Sequence, residues 1–334
     1  MNKLLIRFLK DNDEKLQSSL SSLDSLSFPK LPQLSEHKLR HILGSLSQHK
    51  ALACFPLPDE HLQIYTQKGC PILLLNRVWD PDFLTKHSEI FYCRLIPLNK
   101  AHPKVPRVDQ MRPIVVTNPL YKLSESRFLK PLQDFFLSLE DFGRSNFGFL
   151  PHMTTQIPIN NLLSKVTENR SREKSKMYFK TDNQLPRREE FVLYIDFESA
   201  YNSINLQLLF RHLLQLNIPN ISHKDLTFLF CLISKLRIHL GDANFHPQFG
   251  VPQGGITSPI LFNYAMYFVI QSTMETINLK ITNSCLDTPI KRKQSLLAYK
   301  FQHNDVFTWA DDLAIRFSAV YGAESKLLLK VILE

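Results

Sequence analysis

Apolar and polar positions alternate, cluster or recur at helical spacing in different parts of the chain, and this divides it into predicted elements. "IFYCRLIPLNK" and "MRPIVVTNPLYKL" are short apolar runs that predict two strands, joined by a basic turn containing Lys100, Lys104 and Arg107. On its own this pair reads as an ordinary solvated hairpin. "SESRFLKPLQDFFLSLEDF" carries apolar residues at helical spacing, and "RSNFGFLPHMTTQIPINNLL" places Gly148 in a turn before another helix. Residues 191–197 form a compact apolar run suited to a central buried strand that carries Asp196 near its end. Ile204, Leu208, Leu209, Leu213 and Leu216 then predict a helix over residues 201–216. Near the end, residues 306–309 and 313–317 read as the arms of a hairpin with Asp311 and Asp312 at or near its turn.

The flanks are less ordered in pattern. Residues 16–35 are Ser/Leu-rich and then Pro-broken, which predicts a short helix and a linker. "EHKLRHILGSLSQHKAL" predicts a further helix on which His37 and His41 are surface residues. The first quarter of the chain reads as an extension that precedes the chemistry. Charges crowd together over residues 165–190, predicting an exposed, solvated insertion whose positive balance would let it touch nucleic acid.

Composition narrows the classes. At 334 residues, 44% of them hydrophobic, the chain can bury a substantial core in one large or two ordinary domains. Lys and Arg number 40 against 31 acidic residues, a net charge of +9 that suits a polyanionic partner without requiring one. Cys54, Cys70, Cys93, Cys231 and Cys285 are scattered with no C-x-x-C pair, so neither a disulfide framework nor a zinc site is indicated, and a reducing intracellular compartment is expected. No apolar run approaches the roughly 20 residues of a membrane span, and no membrane partner is expected. The basic, amphipathic start "MNKLLIRFLKDNDEK" lacks a secretory cleavage pattern and leaves a mitochondrial address open.

Three blocks carry chemistry. Asp196 ends a core strand before a helix, where a carboxylate is costly unless something cationic is near; helix capping, with Ser199 as another candidate, explains it equally well. In "VPQGGITSPILFN", Gly254 and Gly255 permit close backbone approach, and Thr257 or Ser258 can cap a helix opening at Pro259. A plain loop-to-helix junction does not explain Gln253 at the centre of that loop. In "FTWADDLAIRF", two adjacent carboxylates occupy a turn that Asn-Gly or Asp-Gly would make with less repulsion. Three carboxylates on strand ends could converge as hard oxygen ligands for Mg²⁺, and two such ions suit phosphoryl transfer.

The order and content of these blocks resemble the polymerase domain of reverse transcriptases, in particular the group II intron and non-LTR retroelement branch. Asp196 with "SAY", "PQGGITSPILFN" and "ADD" are similar to the three palm motifs, and "RLIPLNK…QMRPI" and "NFGFLPHMTT" to the fingers motifs. The resemblance covers roughly residues 91–317. It implies an α+β right-hand polymerase whose antiparallel palm sheet is backed by helices. Residues 1–90 would be an N-terminal extension, 91–190 fingers with the basic insertion, and 191–334 the palm.

The resemblance also implies roles. Asp196 and Asp311 would hold two Mg²⁺ ions with help from the main-chain carbonyl of Phe197, and Asp312 would support the site. Gln253 and Gly254 would lie against the incoming nucleotide, and Arg112 and Lys100 would contact its triphosphate. Tyr201, bulky where RNA-dependent RNA polymerases usually have a second acid, would collide with a ribose 2′-OH and admit a dNTP. The implied partners are an RNA template and a DNA or RNA primer. Trp309 and Asn202 depart from the usual residues without removing a ligand. The chain stops at Glu334, about one helix beyond the aspartate pair, so a thumb is expected to be absent or supplied by a second chain, and activity to be weak without it. The alternative is a non-catalytic RNA-binding relative, a splicing or ribonucleoprotein component, or a retroelement remnant.

Overall fold

The computed structural model describes residues 27–46, 62, 64–67, 70–100, 103–107, 110–178, 188–197, 199–240, 243–245, 250–284, 302, 305–320, 326, 328–330 and 332. Helix α1 (Glu36–Ser45) starts at Ser35, whose hydroxyl accepts from the Lys38 amide, and buries Leu39 and Leu43 while leaving His37 and His41 exposed. A 3₁₀ segment, Ile72–Trp79, leads through the Asp80 cap into α2 (Pro81–Lys86). These elements are not a detached arm. Phe28, Leu39, Leu43, Ile72 and Trp79 lie in the main apolar core, and the Trp79 indole N–H donates to the Ser124 carbonyl at 3.2 Å. Any helix within residues 16–26 falls outside the described residues.

Strands β1 (Tyr92–Asn99) and β2 (Met111–Val116) form the expected antiparallel hairpin, with Leu98 opposite Arg112. Helix α3 (Pro119–Ser138) opens with Asn118 accepting from the Leu120 amide and places Pro119 in its first turn, where a missing N–H costs nothing. The short α4 (Phe142–Ser145) and the long α5 (Gln156–Tyr178) follow. The charge-rich stretch is therefore helical as far as Tyr178 and is not the solvated loop that charge density suggested. Lys, Arg and Glu are good helix formers, and their propensity carries α5 onward from its first turns, which begin at Gln156.

Strand β3 (Arg188–Asp196) ends at the first aspartate. Instead of one helix over residues 201–216, a 3₁₀ turn (Ala200–Ser203) comes first. Asn205 then accepts from the Leu208 amide to start α6 (Leu206–Gln215). Ser199 makes no capping bond and sits at φ +51°. Helix α7 (His223–Ser234) has a reciprocal Ser222–Asp225 capping box. Strand β4 (Arg237–Leu240) pairs parallel with β1, and β5 (Ala243–Phe245) extends the first sheet to the order β2-β1-β4-β5, a participation the local pattern did not announce.

Helix α8 (Ser258–Ser284) and the hairpin of β6 (Val306–Trp309) and β7 (Asp312–Val320) complete a second, fully antiparallel sheet in the order β3-β7-β6. Among the described residues β3 thus lies at the edge of the sheet, where its apolar run suggested a central strand, and β7 is central. One face of this sheet, with Leu193, Ile195, Leu313, Ile315 and Phe317, packs on Ile270, Met274, Ile277 and Ile281 of α8. None of the described helices is long and apolar enough to cross a membrane.

The opposite face holds an ion cluster. Arg316 on β7 donates to Glu190 on β3 at 2.8 Å and also to Asp305 just before β6. All three side chains are nearly buried, at 12% exposure for Arg316 and 9% for each acid. One cation thus spans all three strands. Replacing Arg316 by Ala removes the cation that two nearly buried carboxylates share and is expected to cost roughly 3–5 kcal/mol. Urea unfolding of R316A beside the wild type measures it, and a loss under about 1 kcal/mol would mean the pair is effectively solvated.

Candidate active site

The nine-residue β3–β7 ladder brings the carboxylates together. Its last pair sets Asp196 directly opposite Asp312, and Trp309 opposes Asp312 across the hairpin, which leaves Ala310 and Asp311 as a two-residue turn. Ala310 adopts φ +54°, the left-handed geometry of a primed hairpin turn that Gly or Asn normally supplies. Directly opposed residues share a face with Cβ atoms about 5 Å apart, and like charges there repel. Asp312 records that repulsion. Partial loss of solvent, then Asp311, then Asp196 push its carboxyl above the usual aspartate range. Asp196 and Asp312 are exposed and Asp311 half-buried, all at one end of the sheet.

The tip of the hairpin is braced from behind. The Phe147 amide donates to the Thr308 carbonyl at 3.1 Å, while the Thr308 hydroxyl donates to the Ser145 carbonyl at 2.9 Å and to Asn146 Oδ1 at 3.1 Å. Asn263 of α8 donates its side-chain N–H to the Gly148 carbonyl. Gly148 lies so close that a Cβ there would meet the Ala310 amide nitrogen at 2.5 Å. The turn that carries Asp311 therefore rests on a glycine backbone, which explains why this loop has no side chain at that point.

Tyr201 stands beside the carboxylates. Its ring stacks on Phe262 of α8, with centroids 4.2 Å apart and planes at 6°, and meets Phe149 edge-on at 6.4 Å. Burial, then the Asp311 charge, raise its phenol well above the ordinary range, while Arg112 opposes that rise. Asp311, Tyr201 and Arg112 thus lie within electrostatic reach of one another although they come from three separate parts of the chain.

The loop before α8 joins the same neighbourhood through its backbone. Gly250 N–H donates to the Ile204 carbonyl at 2.7 Å and Val251 N–H to the Tyr201 carbonyl at 3.1 Å. The Val115 amide on β2 donates to the Gln253 carbonyl at 2.6 Å. Gly254 sits at φ +129°, and a Cβ there would collide with the Val115 carbonyl oxygen. The Val115 contact holds Gln253 against β2, three residues from Arg112.

Of the residues singled out from sequence, Asp196, Asp311, Asp312, Tyr201, Arg112, Gln253 and Gly254 come together here. Phe197 is half-buried and packs against both apolar clusters. Lys100 is exposed at the end of the β1–β2 hairpin, its amide donating to the Gln110 carbonyl at 3.0 Å, and none of its described contacts reaches the carboxylates. The sequence reading missed Phe149, Phe262 and Asn263, which confine Tyr201 and brace the turn. Only the pairing of "NFGF" with "LFN" hints at them, and that pairing is invisible before folding.

Among the described residues, no three His, Cys, Asp or Glu side chains form a closed ligand cluster. The donors nonetheless suit Mg²⁺, which is commonly held by one or two carboxylates plus substrate phosphates and not by an all-protein cage. Gly254→Ala places a side chain where both φ and the Val115 carbonyl forbid it. It is expected to cost about 1–3 kcal/mol of strain and to detach the loop from β2. Amide hydrogen exchange at Val115 reads that detachment, and unchanged protection would contradict it.

No curated protein matches the chain. The family model described as reverse transcriptase (RNA-dependent DNA polymerase) matches residues 99–328, a span that contains β2 through β7, the Gln253 loop and the aspartate turn. With well over half of its length inside that match, the chain belongs to the reverse transcriptase family.

Proposed function

We propose that the protein is an RNA-directed DNA polymerase that extends a DNA or RNA primer on an RNA template. The observation that supports this best is the direct opposition of Asp196 and Asp312 beside the Asp311 turn, within reach of Tyr201 and Arg112. In this reading the β1–β2 hairpin belongs to the fingers and the β3-β7-β6 sheet to the palm. The carboxylates of Asp196 and Asp311 and the main-chain carbonyl of Phe197 would hold two Mg²⁺ ions, whose chemistry is to activate the primer hydroxyl and neutralise charge on the leaving oxygen.

The remaining work falls to the chain's own groups. Arg112, exposed on β2, presents a permanent cation to the triphosphate, with Lys100 further along the same hairpin. Gln253 and the bare backbone of Gly254 form a surface for the nucleotide base pair. Tyr201 stacks on Phe262 with Phe149 edge-on beside it, which sets a bulky ring in the way of a ribose 2′-OH, and the steric test favours dNTPs. The group II intron-like lineage belongs to this proposal as well. An intracellular location, in the mitochondrion or another reducing compartment, is the setting it assumes.

Primer extension on an RNA template with dNTPs and Mg²⁺ tests the reading. Incorporation by the wild type and its loss by at least about 10³-fold in Asp311→Ala are expected, as for removal of a charge-stabilising group. Equal incorporation by both proteins would refute it. In the same assay Tyr201→Ala is expected to raise rNTP use relative to dNTP by on the order of 10–100-fold, the span of a pocket's steric discrimination. An unaltered ratio would remove Tyr201 from substrate selection.

A further inference from the structure

The fully buried Glu125 on α3 has no role in the chemistry described so far, yet its carboxylate is aimed at the start of α8. Glu125 Oε2 accepts from the Ile256 amide at 2.8 Å and Oε1 from the Thr257 hydroxyl at 2.9 Å. The Thr257 amide adds a third donor. Thr257 is itself the residue whose carbonyl receives the Leu261 amide at 3.0 Å, so Glu125 grips the chain where α8 begins. A carboxylate at a helix N-terminus also meets the positive end of the helix dipole.

We infer that Glu125 is a positioning residue for the nucleotide-facing loop, anchoring residues 252–255 at their C-terminal end while the Val115 amide holds them against β2. The inference rests on the proposed function only in taking that loop to face the nucleotide. Three anchors then define the loop. The Tyr201 carbonyl holds Val251, the Val115 amide holds Gln253, and Glu125 holds Ile256 and Thr257. Between the last two, the Gly255 amide closes a tight turn onto the Pro252 carbonyl at 3.1 Å. Release of the Glu125 anchor would leave Gln253 tied at one side only.

Burial of an acid at this place is unfavourable in itself. The surrounding core pushes the Glu125 carboxyl up to about 7 against the donors from Ile256 and Thr257, which lower it. An apolar residue would fill the same volume without that cost. It would supply no directional acceptor for two successive backbone positions, and direction is what a loop that must present Gln253 requires.

Full-length Glu125→Gln and Glu125→Ala proteins test this against the wild type. Amide exchange at Val115 and Ile256 is expected to accelerate about tenfold or more in E125A and less in E125Q, with the β3–β7 amides unaltered. Primer extension is expected to show a dNTP KM raised about tenfold in E125A with kcat within about threefold, the pattern of lost binding alignment rather than lost chemistry. Unaltered exchange at both amides would overturn the inference, as would equal acceleration across the β3–β7 ladder, which would make Glu125 a general support of the core. Faster loop exchange with an unaltered KM would overturn the nucleotide part. A wild type without polymerase activity would defeat the proposed function alone, because the exchange measurement decides the Glu125 anchor without catalysis.

Discussion

Everything at the candidate site depends on the register between β3 and β7. A shift of one residue would turn Asp312 to the opposite face, away from Asp196, because side chains alternate along a strand. The register is held from both faces. Leu193, Ile195, Leu313, Ile315 and Phe317 must all face α8 to leave water, and a slip would expose the whole set. On the other face Arg316 must lie between Glu190 and Asp305, and a slip would strand three charges. The apolar face supplies most of the driving force, since the ion cluster repays its own desolvation at best. What the cluster supplies is intolerance of any other pairing. Repulsion between Asp196 and Asp312 is affordable only because the rest of the ladder permits no alternative.

The second constraint is the way two separate sheets are brought to one place. The β2-β1-β4-β5 sheet carries Arg112, and the β3-β7-β6 sheet carries the aspartates. Backbone hydrogen bonds contribute to their meeting. The loop before α8 bonds to the Tyr201 and Ile204 carbonyls on one side and to the Val115 amide on the other. Residues 147–148 lie directly against residues 308 and 310. Such contacts need atoms closer than any side chain allows, which is why Gly148 and Gly254 occur at these two points. Small residues at this junction are a consequence of geometry and not a sign of looseness.

How much of this could be read beforehand follows from the range of each interaction. The aspartate hairpin was legible because alternation and an unfavourable charge pair are both local signals. The β1–β2 hairpin and α3 were legible for the same reason. β4 and β5 were not, because their place beside β1 is fixed by a parallel pairing more than a hundred residues away in sequence. The edge position of β3 among the described strands is not legible locally, since a short apolar run looks alike whether a strand is central or has one face covered by a helix. The helical start of residues 165–190 has no clear local signal, because dense charge is common in solvated loops although those residue types also favour helices. The site residues were found through their motif. Their supports, Phe149, Phe262, Asn263 and Glu125, carry no local mark, because a buried acid and an exposed one are the same letter.

The supports and the site residues differ in how they are exposed to selection by physics. Asp196 and Asp312 are solvated, so either could be replaced by Asn with little effect on folding. Glu125, Asn263 and Thr308 are buried with their partners aligned, and loss of any one leaves an unpaired polar group in the core. Stability alone therefore explains Asn263 and Thr308, and it partly explains Glu125. It does not explain three adjacent carboxylates at the end of a sheet, which lower stability wherever they stand without a cation. Their presence on a scaffold that fixes them so firmly from both faces is the physical argument that the charge itself is used.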